Sequence, residues 1–314
     1  MAFNSSGSEE RPLRFPLTSR RRQVWLVSAV CVLLSLMGIV RSWTDPQIGL
    51  PLRPGLDFTG GTQIQLERSC ADSCDQLSTI AVEDALQRVD LPLPAGQPSP
   101  KLENARVQLL DRGQSIVLRM PALSAGQGQT VIEALEPVAG PFEAGGQSVD
   151  TIGPSLGGQL LRSSLISLLV AFAGIALYIT VRYDPRYAFL ALVALAHDIV
   201  IVCGIFAWLG LTTGLEVDSL FAVALLTIAG YSVNDTVVVF DRIRERQRID
   251  GDLPISTQVD RAVSATLTRT IYTSGTTLLP LSALILFGGS TLYWFAIALA
   301  LGCLLYTSDA ADDC

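Results

Sequence analysis

The chain has 314 residues, 49% of them hydrophobic, and a mean hydropathy of +0.43. Its 22 basic and 29 acidic side chains leave a formal charge of -7, and Lys101 is the only lysine. That composition excludes an ordinary soluble domain, because the apolar residues cluster into runs that can cross a bilayer, which takes about 20 residues at 1.5 Å each.

Residues 1–22 are polar and rich in Pro and Ser, and read as a disordered cytoplasmic tail. Arg20, Arg21 and Arg22 precede the first apolar run, at 23–40. This run exceeds a usual signal core and lacks a small-x-small cleavage site, so it reads as an uncleaved first span with its N-terminus inside.

Residues 41–159 read as one extracytoplasmic α+β domain. Thr62 to Glu67 alternates with the period of a half-buried strand. Leu77 to Val89 has helical spacing, with Ile80, Ala81 and Ala85 on one face and Pro92 and Pro94 as the stop. Arg106–Leu110 and 115–119 form a hairpin around Asp111-Arg112-Gly113, 129–138 is a second helix, and 148–152 a last strand. The order β-α-β-β-α-β predicts a ferredoxin-like sandwich.

Five more apolar runs, near 160–181, 188–210, 220–240, 267–287 and 291–306, make 160–306 a five-helix bundle and the chain a six-span α-helical membrane protein. Arginines mark the connections around 182–186 and 241–248 as cytoplasmic, and the connections at 211–219 and 288–290 carry none. Residues 307–314 form an atypical acidic tail. Cys31, Cys203 and Cys303 are expected to pack as small hydrophobes. Cys70 and Cys74 form a C-x-x-x-C pair, which is compatible with a disulfide or with free thiols. One histidine and no ligand cluster predict neither metal nor cofactor, and no nucleophile–base pair or P-loop points to an enzyme.

Three ionisable groups fall where lipid belongs: Asp198, Asp235 and Arg269. A charge there costs at least about 2.5–3.5 kcal/mol, so such residues face a bundle interior and often line an ion path. Asp235 lies five residues before Phe240, about 7–8 Å from that boundary. Arg269 enters the next, antiparallel span at a similar depth. An Asp–Arg pair that closes and opens is a proton relay, since the separated carboxylate takes a proton. A static buried ion pair that fixes helix register is the other reading. Asp198, beside His197, suits a hydrogen bond within the bundle. Gly230, Ser232, Asn234 and Thr236, with Thr270, Thr273, Ser274, Gly275, Thr276 and Thr277, add a polar stripe of small residues. The stripe serves as packing glue or as a hydrated path, and its concentration on two adjacent spans favours the path.

At these residues the sequence resembles the SecF family of the resistance-nodulation-division superfamily. Four stretches carry the likeness: Gly55 to Thr62 (Gly-Leu-Asp57-Phe-Thr-Gly60-Gly61-Thr), Ile152-Gly153-Pro154-Ser-Leu-Gly157, Ala196-His197-Asp198, and Gly230 to Glu245, which includes Asp241 and Arg242. The resemblance implies a pseudo-symmetric twelve-span complex with SecD in the inner membrane. It further implies association with the SecYEG channel and YajC, and use of the proton gradient to pull unfolded preproteins outward. It places the functional charged pair at Asp235 and Arg269, and implies lipid but no nucleic acid or nucleotide as a partner. The pattern departs from the family after Gly302, from which a truncated or chimeric C-terminus and a short, poorly packed sixth span are expected. A small-molecule exporter half and a passive scaffold subunit remain the alternatives.

Overall fold

The computed structural model describes residues 18, 21–70, 77–91, 102, 105–110 and 113–312. It divides into two compact units, residues 54–165 and the remainder.

In the smaller unit, β1 (Gly61–Arg68), α3 (Thr79–Gln87), β2 (Arg106–Leu110), β3 (Ser115–Met120), α4 (Ala125–Ala139) and β4 (Phe142–Ile152) follow the short helix α2 (Leu56–Thr59). The strands form one sheet in the order β2-β3-β1-β4, and every neighbouring pair is antiparallel. This is the ferredoxin-like arrangement that the β-α-β-β-α-β order predicts. Alternation on β1 and β3 sends Ile64, Leu66, Ile116 and Leu118 to one face, where Val82 and Leu86 of α3 and Val131 and Leu135 of α4 cover them. Arg68 is buried with them, and its guanidinium donates to the Ala139 and Gly113 carbonyls. Such a cation is tolerated inside because its donors are satisfied.

The elements differ from their sequence outlines in physically instructive ways. Ile80 does not face the core of α3; it is 67% exposed. Val82, Ala85, Leu86 and Val89 instead pack inward, since this i, i+3, i+4, i+7 stripe spans two turns and Ile80 lies in the first. α4 begins a turn earlier than 129 because Ser124 and Gln127 form a capping box, worth about 1 kcal/mol. β4 begins at Phe142, running through Gly145 and Gly146. Asp111 and Arg112, the hairpin tip, lie outside the described residues, as do Cys74, Lys101 and both prolines after α3. Cys70 is disulfide-bonded, and its partner lies outside the described residues. Cys31 is exposed rather than packed, whereas Cys303 is buried.

The larger unit holds α1 (Arg21–Thr44), most of α5 (Pro154–Arg182), α6 (Pro185–Thr212), α7 (Ser219–Ile249), α8 (Ile255–Phe287) and α9 (Gly289–Asp312). The first five are long and apolar enough to cross a membrane; α9 adds a shorter apolar stretch, Leu292–Leu305. Large apolar side chains such as Trp25, Leu169, Val170, Leu279 and Phe287 stand on the outside, as a lipid-facing surface requires. The chain is thus a multi-pass membrane protein with a small sheet domain. Contrary to the expectation of a poorly packed last helix, α9 is well seated. Ala296 and Ala298 are fully buried, and a side chain at Gly302 would run into Ile228 at 2.5 Å.

α1 and α6 lie side by side and parallel. Contacts advance in the same direction along both: Ser28 meets His197, Ser35 meets Gly204, and Gly38 meets Trp208. The backbones approach closely enough that a Cβ on Gly204 would sit 2.2 Å from that of Ser35. Small residues permit such contact where lipid supplies no hydrophobic drive. Beyond α1, the chain is tied to the α6–α7 connection. Val217 N–H donates to the Arg53 carbonyl at 2.9 Å, and Arg53 pairs with Glu216 at 3.8 Å.

Candidate functional site

α7 and α8 form an antiparallel hairpin whose turn is fixed by polar contacts. The Asp250 carboxylate, at the end of α7, accepts from Arg246 at 3.3 Å and pairs with Arg261 of α8 at 3.4 Å. Gln258 donates to the carbonyls of Asp250 and Leu253. Nearby, the Asp260 carboxylate accepts from both the backbone N–H and the hydroxyl of Thr18. At the same end of the bundle Asp241 is exposed and Arg242 pairs with Glu245. Burial, then the Asp241 carboxylate, pushes the Tyr183 phenol above its usual range.

From this turn the two helices rise in register. Asp235 lies 14 residues before Ile249 (249 − 235), and Arg269 lies 14 residues after Ile255 (269 − 255). Both are therefore about 21 Å along their helices from the turn, at one level. Both helices continue past the apolar boundaries inferred from sequence through charged residues such as Arg242 to Arg248, so the turn lies well beyond the apolar stretch.

Asp235 is 6% exposed. Its Oδ1 accepts from the Asn234 amide at 3.4 Å, and its Oδ2 is buried without a hydrogen-bond partner among the described residues. Arg269 is exposed and close enough to interact electrostatically with that carboxylate. The two side chains do not form an ion pair within 4.0 Å. The structure thus holds the pair apart, with an acceptor left over in a place where unmet acceptors are costly.

The polar stripe follows the same faces. Thr273 donates to the Arg269 carbonyl and Thr277 to the Thr273 carbonyl, each at 2.9 Å, a ladder at i, i+4 and i+8. Thr276 also donates to the Thr273 carbonyl. Ser232 and Ser274 are buried, Thr236 donates to the Ser232 carbonyl, and the Cys303 thiol of α9 reaches the Ser274 carbonyl. Gly230 and Gly275 do not serve close helix contact. Nothing lies within 4 Å of a Cβ built on either. A cavity of about 210 Å³ opens between α7, α8 and α9, lined by Thr227, Tyr231, Thr277, Pro280 and Cys303. Tyr231 stands one turn from Asp235, on the same face.

His197 and Asp198 are elsewhere, on the α1–α6 seam. Asp198 is 1% exposed and its Oδ1 faces His197 Nδ1 at 3.2 Å, while His197 Nε2 lies 2.7 Å from Ser28 Oγ. Sequence reasoning missed Ser28. Its only signal is a serine seven residues before Ser35 in an otherwise apolar run.

The glycine motifs belong to the smaller unit and to each other. Asp57 lies in the first turn of α2. Gly60 and Gly61 have φ of 68° and 130°, which side chains disfavour. A Cβ on Gly60 would sit 2.7 Å from Pro154 Cα, and one on Gly157 would sit 2.7 Å from Gly60 N. Gly153 has room around it. Thr62 completes the joint, accepting from Leu123 N–H at 2.8 Å and sharing a hydrogen bond with Thr151. The Gly-Gly-Thr and Gly-Pro-x-x-Gly stretches are thus two halves of one backbone junction.

Comparison with known proteins gives the family. The C-terminal domain of protein export membrane proteins SecD/SecF matches residues 131–309, and the SecD/SecF GG motif matches residues 48–72. Protein translocase subunit SecF of Prochlorococcus marinus is 57% identical over 288 residues, 92% of this chain and 89% of that protein. SecF of Synechocystis is 42% identical over the same shares. The crystal structure of SecDF from Thermus thermophilus, a translocon-associated membrane protein, superposes with a TM-score of 0.76 at 29% identity, covering 96% of this chain. This chain spans 38% of that longer one. The sheet unit, the membrane helices and the two glycine motifs therefore belong together, and the chain is a member of the SecD/SecF protein-export family, on its SecF branch.

Proposed function

We propose that this chain is the SecF-type half of a proton-driven complex that assists preprotein export, with Asp235 and Arg269 as its relay. The observation that carries the reading is the buried carboxylate of Asp235, with an unpartnered Oδ2 and a guanidinium at its level but out of contact. Such an arrangement has two states. With Arg269 drawn in, the carboxylate is neutralised by charge; with Arg269 away, it is neutralised by a proton. Protons entering through the Tyr231–Thr277 cavity would trade places with the arginine and shift α7 against α8. Ser232, Asn234, Thr273, Ser274 and Thr276 supply hydroxyl and amide groups along that face.

Six spans, an inside N-terminus and an outward sheet domain fit the charges. Arg21, Arg22, Arg182, Arg186 and Arg242 to Arg248 gather at one set of helix ends, and residues 213–218 carry no Lys or Arg. The parallel α1 and α6 require an odd number of crossings between them, which α5 supplies. A SecD-type protein is the expected partner, since the solved relative is a SecDF chain. The SecYEG channel, YajC and unfolded preproteins would complete the assembly in the inner membrane. The packed joint of Gly60, Gly61, Pro154 and Gly157 lies within the sheet unit, with Asp57 and Gly153 beside it. Asp241 and Arg242 would then stand at the cytoplasmic surface.

The test is complementation of a SecF-depleted strain with Arg269→Gln, with partner capture measured in parallel. Normal partner capture with failed export supports the relay. Normal export reduces the charges to structural roles and defeats the proposal.

A further inference from the structure

Beyond the Asp235–Arg269 pair, the structure holds a second arrangement built to carry a proton. His197 sits between Asp198 of its own helix and Ser28 of α1. Its Nδ1 faces a carboxylate, which fixes a proton on that nitrogen. Its Nε2 faces a hydroxyl, and a hydroxyl both donates and accepts. Neutral, the ring accepts at Nε2 from Ser28 O–H; protonated, it donates from Nε2 to Ser28 Oγ. The 2.7 Å contact survives in both states. A lysine, which only donates, or a carbonyl, which only accepts, would serve one state alone.

Charge balance points the same way. Asp198 is 1% exposed. With the ring neutral, a lone carboxylate is buried among spans; with the ring protonated, the site is an ion pair of no net charge. Around it, the spanning stretches of α1 and α9 contain no carboxylate, imidazole or guanidinium, α5 contains Arg162 near its start, and α7 contains Asp235. Leu195 shares one apolar core with Ala229 and Val233, and Val202 shares another with Ile228, so α6 packs against α7 on both sides of His197.

We infer that Ser28, His197 and Asp198 form a second proton-binding site, in which His197 gains and loses its proton at Nε2 while α1 reads the state through Ser28. This rests on the proton-driven reading above, and extends it to the helix that leads toward the sheet unit. His197 is a positioning residue for α1 rather than a member of the Asp235–Arg269 pair.

The chain contains a single histidine, so its imidazole can be observed alone. The full-length protein, purified without a histidine tag, is labelled with ¹⁵N at histidine and placed in lipid nanodiscs. The ring ¹⁵N resonances are followed over about pH 5 to 9. A single titration is expected, with Nε2 unprotonated in the high-pH form. Asp198→Asn should weaken proton binding at least about tenfold, a shift of one pH unit. Ser28→Ala should move the Nε2 resonance of the neutral form, and it serves as the test where Asp198→Asn fails to accumulate. A ring that keeps one protonation state throughout, or a titration untouched by either change, overturns the inference. Export failing in Asp235→Asn while His197 stays silent removes this inference and leaves the relay. A titrating His197 with gradient-driven export unaffected by Asp235→Asn does the reverse.

Discussion

The α1–α6 seam and the α7–α8 hairpin are both polar stripes inside apolar helices, yet they are built oppositely. Along the seam, small residues bring backbones into contact, and Trp208 donates to the Leu34 carbonyl at 2.9 Å. Along the hairpin, glycines face open space, threonine hydroxyls turn back on their own helix, and Asp235 keeps an unmet oxygen. The first is close-packed, its backbones in contact around the Ser28–His197–Asp198 cluster. The second leaves room and unmet hydrogen-bonding capacity, the features on which the proposed relay rests.

That contrast can be broken at Gly204. Gly204→Val places side-chain atoms inside Ser35, and no rotamer relieves a Cβ–Cβ separation of 2.2 Å. Loss of about 3 kcal/mol or failure to accumulate is expected, read by thermal unfolding in detergent. Gly60→Ala in the sheet unit should cost about 1–3 kcal/mol, from its positive φ and its approach to Pro154. Gly275→Ala should change stability by less than about 1 kcal/mol, because the added methyl meets nothing. A large loss there would mean that the hairpin is as tightly packed as the seam.

The smallest effect concerns pH. Burial, and then the Asp241 carboxylate, hold the Tyr183 phenol pKa above the ordinary tyrosine range. The folded state therefore holds this proton longer than the unfolded chain. Tyr183 stabilises the fold below about pH 10 and loses that contribution as pH rises through its folded value. Tyr183→Phe should flatten the alkaline limb of a stability–pH curve and leave the neutral region nearly unchanged.

Much of this was legible in the sequence because it depends on period. Alternation in Thr62 to Glu67 placed β1, and the turn residues placed the β2–β3 hairpin. Apolar length marked the spans, while arginine placement separated their two ends. The ends of α7 and α8 were not legible, because helices run on through polar residues once paired, and the apolar boundary at Phe240 marks no helix end. The face of α3 failed on Ile80, where the first turn gave too little pattern to outweigh Val82 and Leu86. Gly230 looked like a contact glycine, but whether space lies beside a glycine is a fact about the neighbouring helix. Ser28 was invisible for the same reason. Its partner lies 169 residues away, and nothing in a local window joins them.

The most direct test of the account is proton-gradient-dependent preprotein export in membrane vesicles that contain the SecD-type partner, comparing the natural chain with Asp235→Asn at equal protein levels. Loss of the gradient-dependent component, with the complex still assembled, is the predicted result. Export that responds to the gradient as before would contradict it, and Asp235 would then be a structural carboxylate.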